Sequence, residues 1–236
     1  YIPGGTLREL IKREGHLPLT WVPLYTAELV LAISHMHSLR MLYRDIKPHN
    51  VMLDSEGHIN IIDFGLSKQE ISSPRGAMSL VGTPDYSAPE VLKTGVHQIE
   101  VNKAKKEEKM RKSGKFVKTD RKDKTKQGES PKRGSATDID PTQVGYGKAA
   151  DWWSLGVMIY EMIGGSPAFR GADLRQTYQR VLFAPLEFKP EERFPVEVPL
   201  VNAARDLIKG LLDRDPSKRL GAVENPPRDI MNHSFF

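Results

Sequence analysis

The chain has 236 residues, enough for one large domain or two small ones, and 35 basic against 30 acidic side chains leave a formal charge of +5, a mild basic bias suited to a soluble protein. The absence of cysteine excludes a disulfide framework, a Cys-based zinc site and a cysteine nucleophile, and fits a reducing compartment, so a cytoplasmic or also nuclear location is expected. No apolar run approaches the ~18 residues that would span a bilayer, nothing at the start reads as a signal peptide, and an opening Tyr1 in place of Met reads as a piece of something longer.

In chain order, Tyr1-Ile2-Pro3-Gly4-Gly5 is extended and turn-like, and Thr6-Leu7-Arg8-Glu9 has the spacing of a capping box, predicting a short helix over 6–14 stopped by Gly15. Thr20 is the next N-cap candidate, with Pro23 tolerated in the first turn, and Ala27, Val30, Leu31 and Ser34 recur at helical spacing toward Leu39. His35 and His37 lie on this helix with no partner at metal-ligand spacing and are read as core or surface histidines. Val51-Met52-Leu53, the turn Asp54-Ser55-Glu56-Gly57 and then Ile59, Ile61 and Ile62 predict a small β-hairpin. A loop rich in Ser, Gly and Pro follows over 64–89, too polar for core. Helices are predicted over 148–163, 172–181 and 201–212, with Trp152 and Trp153 in the core.

The stretch 96–144 differs in kind. It holds only 10 hydrophobic residues in 49, and between Val101 and Arg133 it carries 14 Lys or Arg against 5 Asp or Glu, a net +9 that leaves −4 for the rest. Such a segment buries too little apolar surface to offset the entropy of ordering and is expected to be a disordered insert. The organisation expected is therefore one domain over 1–95 and 145–236, interrupted by a basic insert over 96–144. Its Ser130-Pro131 and Lys132-Arg133-Gly134-Ser135 offer phosphorylation sites.

Tyr43-Arg44-Asp45-Ile46-Lys47-Pro48-His49-Asn50 carries an Asp, a Lys two later and an Asn five later, immediately before the hairpin, and Asp63-Phe64-Gly65 begins thirteen residues after Asn50. Each piece alone is weak; in this order and spacing they match the catalytic and metal loops of a protein kinase, with Tyr43 where His is usual. Ala88-Pro89-Glu90, Gly82-Thr83-Pro84-Asp85-Tyr86-Ser87, Asp151-Trp152-Trp153-Ser154-Leu155-Gly156 and Lys218-Arg219-Leu220-Gly221 extend the match over the whole chain except the insert. The sequence resembles the eukaryotic protein kinase family, specifically the AGC group of serine/threonine kinases.

The resemblance implies the mainly α-helical C-terminal lobe of the α+β kinase fold, with a small hairpin at the catalytic loop and the N-terminal β-lobe absent, since no Gly-x-Gly-x-x-Gly loop stands in these residues. It implies ATP and Mg²⁺ as cofactors and transfer of the γ-phosphate to protein Ser or Thr hydroxyls. Asp45 would accept the hydroxyl proton, Lys47 would place a charge on the transferring phosphate, and Thr83 would brace the pair. Asn50 and Asp63 supply hard oxygen ligands of the kind Mg²⁺ prefers. Ile2, Met52 and Ile62 would meet the adenine. Ser79, four positions before Thr83, would be the activation-loop phosphosite, paired with Arg44 and Lys68 and modified by an upstream activating kinase. Glu90 and Arg219 would form a buried ion pair, and Asp151 would cap backbone amides of the catalytic loop.

Leu80, Pro84 and Ser87 would line the pocket for the residue after the target hydroxyl. Glu161 would pair with substrate arginines; Glu is usual where Thr6 and His49 stand here, so selection for arginine is expected to be weakened. Partners expected are protein substrates and the activator; neither a membrane span nor nucleic acid is expected. The isolated 236 residues are expected to be inactive, because nothing in them clamps the ATP phosphates from above. The alternative reading is a catalytically inactive kinase-fold interaction module.

Overall fold

The computed structural model describes residues 2–69, 82–112, 146–195, 198–223 and 226–236. Helix α1 spans Leu7–Glu14, and its capping box is formed: Glu9 N donates to Thr6 Oγ1 at 3.1 Å and Thr6 N donates to Glu9 Oε2 at 2.8 Å. Leu7, Leu10 and Ile11 take the inner face, at the i, i+3, i+4 spacing that puts them on one stripe. Helix α2 (Val22–Ser38) starts later than the sequence suggests. Trp21, not Thr20, occupies the N-cap, with no side-chain cap bond; the entry is instead a turn in which Trp21 N donates to the Pro18 carbonyl at 2.9 Å.

Strands β1 (Val51–Leu53) and β2 (Ile59–Ile61) pair antiparallel with Val51 opposite Ile61 and Leu53 opposite Ile59. Asp54 Oδ1 accepts from Glu56 N at 2.9 Å and His58 N at 3.0 Å, and Gly57 supplies the left-handed residue at φ 89° that closes the turn.

Helix α3 (Pro89–Lys112) corrects two expectations. The loop read as too polar for core ends in buried Tyr86, Ser87 and Ala88, and the insert read as disordered from residue 96 is helical as far as Lys112. Low apolar content argues against burial but not against helix: residues 103–112 are all Ala, Lys, Glu, Met or Arg, high on the intrinsic scale. Residues 113–145 lie outside the described residues.

Helices α4 (Ala149–Gly164), α5 (Leu174–Phe183), α6 (Pro199–Leu211) and the short α7 (Arg228–Met231) complete the fold. Helix α4 is buried on every side, which is why its sequence lacks an amphipathic stripe; Trp152, Trp153, Leu155, Val157, Met158 and Ile159 have no exposure. It packs against α2, α6 and the 3-10 turn Pro84–Tyr86. At the α6 crossing a Cβ on Gly156 would lie 2.8 Å from Leu211 Cβ, so only glycine permits that approach. Helix α4 is the post to which the site is fastened. Among the described residues, no helix is long and apolar enough to cross a membrane.

One electrostatic tie joins the hairpin to α2. Glu28 accepts from the His58 ring at 2.5 Å and from Ile59 N at 2.8 Å, and this carboxylate holds the imidazole above its ordinary pKa of 6.5. A raised folded-state pKa means the contribution is complete below pH 6.5 and disappears as pH rises through the folded value. The His58 ring titration followed by NMR is expected to lie above 6.5 and to fall toward it in Glu28→Gln. An unshifted titration in that variant would show that Glu28 is not the cause.

Candidate active site

The segment 43–50 is not regular structure, so its shape depends on side chains that hold its backbone. Asp151, buried in the first turn of α4, does most of this: Oδ1 accepts from Arg44 N at 2.8 Å, and Oδ2 accepts from Tyr43 N at 3.1 Å and His37 Nε2 at 2.8 Å. The His37 ring meets Trp152 edge-on at 5.3 Å, locking the imidazole between α2 and α4. With these bonds Arg44 is held at φ 71°, and Asp63 stands at φ 62°. Such conformations cost about 1–3 kcal/mol each in a non-glycine residue and persist only where the surroundings over-determine them. The Arg44 side chain spans to the next loop, Nε donating to the Leu66 carbonyl at 2.6 Å, and a Cβ on Gly82 would lie 2.7 Å from the Arg44 carbonyl oxygen.

Tyr43, standing where the resemblance implies histidine, ties the same two loops. Its hydroxyl donates to the Ile62 carbonyl and its ring meets Phe64 edge-on at 5.5 Å. Burial pushes its phenol pKa well up, so it acts as a donor and not as a base.

Asp45, 6% exposed, carries a small network. Lys47 Nζ donates to Asp45 Oδ2 at 2.6 Å and to Thr83 Oγ1 at 3.0 Å, and Thr83 Oγ1 in turn donates to Asp45 Oδ1 at 3.1 Å. Asn50 Nδ2 donates to Asp45 Oδ2 at 2.8 Å and to the Asp45 carbonyl at 3.0 Å. Oδ2 therefore takes two short bonds and Oδ1 one long one. Oδ1 is the oxygen with capacity for a further donor, and the Lys47 ammonium keeps one of its three N–H groups.

The hairpin register brings Asn50 and Asp63 to one end, because Ile62 N donates to the Asn50 carbonyl at 2.9 Å and Asp63 follows directly. Asn50 spends its amide nitrogen on Asp45, leaving its side-chain oxygen as a ligand atom; Asp63 is exposed and accepts from Gly65 N at 3.2 Å. Among the described residues, no cluster of three or more His, Cys, Asp or Glu is gathered to hold a metal with protein atoms alone. Two hard oxygen donors with room for other oxygens fit Mg²⁺ bound together with phosphate. Beside them the chain start is clamped to β1: Gly4 N donates to the Leu53 carbonyl at 2.8 Å and Leu53 N to the Gly5 carbonyl at 2.9 Å. Ile2, Met52 and Ile62 are half-buried apolar residues at this edge.

Lys68 is brought toward Arg44 by an isolated bridge to Leu42, with 2.9 Å bonds in both directions. Ser79 and Leu80 lie outside the described residues. Pro84 is half-buried, and Ser87 is buried with its hydroxyl donating to the Thr83 carbonyl at 3.1 Å, so it presents no free polar group.

Glu161, expected to face a substrate arginine, has no exposure; Oε1 is held by Arg8 Nη1 at 2.6 Å and Oε2 by the Tyr86 hydroxyl. Burial raises its pKa, against the opposing pull of Tyr86 and Arg8. Glu90 and Arg219 form a bidentate pair at 2.6 and 3.0 Å.

Arg8, His37 and Tyr86 are the contributors that sequence reading missed. His37 meets its partner across 114 positions and Arg8 across 153, beyond any local pattern.

The family profile described as protein kinase domain matches residues 1–127 and 138–236. The chain is 34% identical over all its 236 residues to cAMP-dependent protein kinase type 3 of Saccharomyces cerevisiae, covering 44% of that protein. It is also 34% identical over its full length to the serine/threonine-protein kinases Sgk1 of Xenopus tropicalis and YPK1 of Saccharomyces cerevisiae, covering 43% and 26% of them. The chain thus spans less than half the length of these relatives.

Proposed function

The chain belongs to the protein kinase family, and on that premise we propose that the protein containing it transfers the γ-phosphate of ATP to Ser or Thr hydroxyls of protein substrates. The observation that carries this is the Asp45 carboxylate held jointly by Lys47, Thr83 and Asn50.

In this reading a substrate hydroxyl donates to Asp45 Oδ1, which orients it for in-line attack and takes its proton as the hydroxyl oxygen bonds to the γ-phosphorus and the bond from that phosphorus to the bridging oxygen breaks, releasing ADP. Lys47 adds charge where the transferring oxygens gather. Asn50 and Asp63 would hold Mg²⁺, which would neutralise the charge of the phosphoryl group that ATP supplies. Ile2, Met52 and Ile62 give the adenine an apolar floor. The 236 residues hold no glycine-rich phosphate loop, so the clamp from above is proposed to come from sequence outside them.

The test is Mg²⁺-dependent incorporation of labelled phosphate from ATP into Ser, Thr and Tyr peptides by the full-length protein. Incorporation into Ser or Thr that EDTA abolishes is expected. Absence of transfer by soluble, ATP-binding protein, or transfer only to Tyr, would overturn the reading.

The proposed switch is phosphorylation of Ser79 by an upstream kinase, supported by Arg44 and the neighbouring Lys68, which would gain charge-assisted hydrogen bonds to the phosphate. Ser79→Ala in the full-length enzyme is expected to lower activity by about tenfold or more, given the ~1–3 new bonds forgone. Unchanged activity and protease sensitivity would rule the switch out.

A further inference from the structure

Arg8 and Glu161 stand in a ring of contacts that opens on the reacting groups. Lys47 and Thr83 hold Asp45; the 3-10 turn Pro84–Tyr86 follows Thr83 and ends in Tyr86, whose hydroxyl is on Glu161; Glu161 is paired with Arg8. Helix α1, which carries Arg8, packs in turn on the 3-10 turn Pro48–Asn50, where His49 is exposed beside Lys47. The carboxylate in this ring is fully buried with both oxygens taken, whereas the Arg8 side chain keeps 30% exposure. The charge this rim offers to an approaching peptide is therefore the guanidinium, not the acid.

We propose that Arg8 is a specificity-determining residue: it occupies Glu161 from within the chain, so that the protein does not select for arginine in the peptide segment that passes this rim. The inference rests on the phosphotransfer reading for its substrate class, a Ser/Thr peptide, but not for its geometry. A substrate guanidinium would have to displace Arg8 from a bond already satisfied at 2.6 Å, or sit beside a like charge; neither gains anything over alanine. Exposed Arg170 also acts on Glu161, so the acid is served by two cations of the chain itself.

Removing Arg8 reverses the situation. Arg8→Ala leaves Glu161 buried with Tyr86 as its hydrogen-bond partner and Arg170 acting only through its charge, and an arginine from the peptide then supplies the missing bonded cation. The inference thus requires a gain of arginine recognition from deleting an arginine, which a purely structural role for Arg8 would not give.

The experiment measures binding of fluorescent peptides with alanine at the acceptor position to the full-length protein, with arginine or alanine at each flanking position in turn. Wild type is expected to bind no arginine peptide appreciably tighter than its alanine counterpart, and Arg8→Ala to bind one of them about tenfold or more tighter, the scale of a hydrogen-bonded charge pair. Adding Glu161→Gln should erase the gain.

Tight arginine selection by the wild type would overturn the inference without recourse to any variant, as would an unchanged ratio in folded Arg8→Ala. Serine versions of the same peptides, assayed with Mg²⁺-ATP, test phosphotransfer separately. Failure there would count against the kinase reading and leave the binding ratios to decide the role of Arg8.

Discussion

Asp45→Asn in the full-length protein is expected to lower kcat by about 10²–10⁴-fold, the usual contribution of a positioned general base, while leaving the KM for ATP and the melting temperature close to wild type. The separation follows from how Asp45 is held. A carboxamide at this position can still accept from Lys47 through its oxygen and lies within reach of Thr83 and Asn50, so the loop keeps its shape. What is lost is the second anionic oxygen, Oδ1, which takes only the Thr83 hydroxyl at 3.1 Å and is the atom left for the substrate proton. Asp63→Ala is expected to differ in kind: it removes a hard oxygen donor, so the Mg²⁺ dependence should shift with the rate. A kcat for Asp45→Asn within a few-fold of wild type would remove Asp45 from the chemistry and leave the network a structural one.

Much of this site was legible because its parts lie close in sequence. Asp45, Lys47 and Asn50 fall within six residues, and a hairpin with a five-residue connection returns the chain to Asp63, so order and spacing were enough to gather them. The capping box at Thr6 and Glu9 was readable for the same reason: both partners are three residues apart. What escaped was set by contacts over long separations. Nothing near Arg8 indicates that its guanidinium ends on Glu161, and without that contact Glu161 reads as an acid awaiting an arginine. The extension of α3 escaped for a different reason. Composition reports whether a segment can bury surface, whereas a helix continuing from the buried Pro89–Leu92 start has its nucleation supplied and needs only favourable propensity to go on.

Arg219→Ala is expected to be the most destabilising of the substitutions considered. Its guanidinium meets both oxygens of Glu90, donates from Nη1 to the Ala149 carbonyl at 2.8 Å and from Nε to the Asp213 carbonyl at 2.9 Å, and lies 5.2 Å from the centre of the Trp153 ring. One side chain thus joins the first turn of α3, the start of α4 and the loop after α6. Truncating it leaves a buried carboxylate and two carbonyls without their donor, a loss of about 3–5 kcal/mol for breaking a buried pair. At about 2–4 °C per kcal/mol for a chain of this size, the melting temperature should fall by roughly 6–20 °C. Arg219→Lys should recover only part of this, because a single ammonium cannot reproduce the two-pronged contact with Glu90 together with the bonds to the Ala149 and Asp213 carbonyls. Removing both charges together, as Glu90→Gln with Arg219→Met, should cost less than Arg219→Ala alone, since the desolvation penalty on Glu90 disappears with its charge. A melting temperature within about 2 °C of wild type for Arg219→Ala, less than 1 kcal/mol on the same scale, would mean that water or a neighbouring side chain reaches Glu90 when Arg219 is gone. The pair would then hold the two helices in register without holding the fold together.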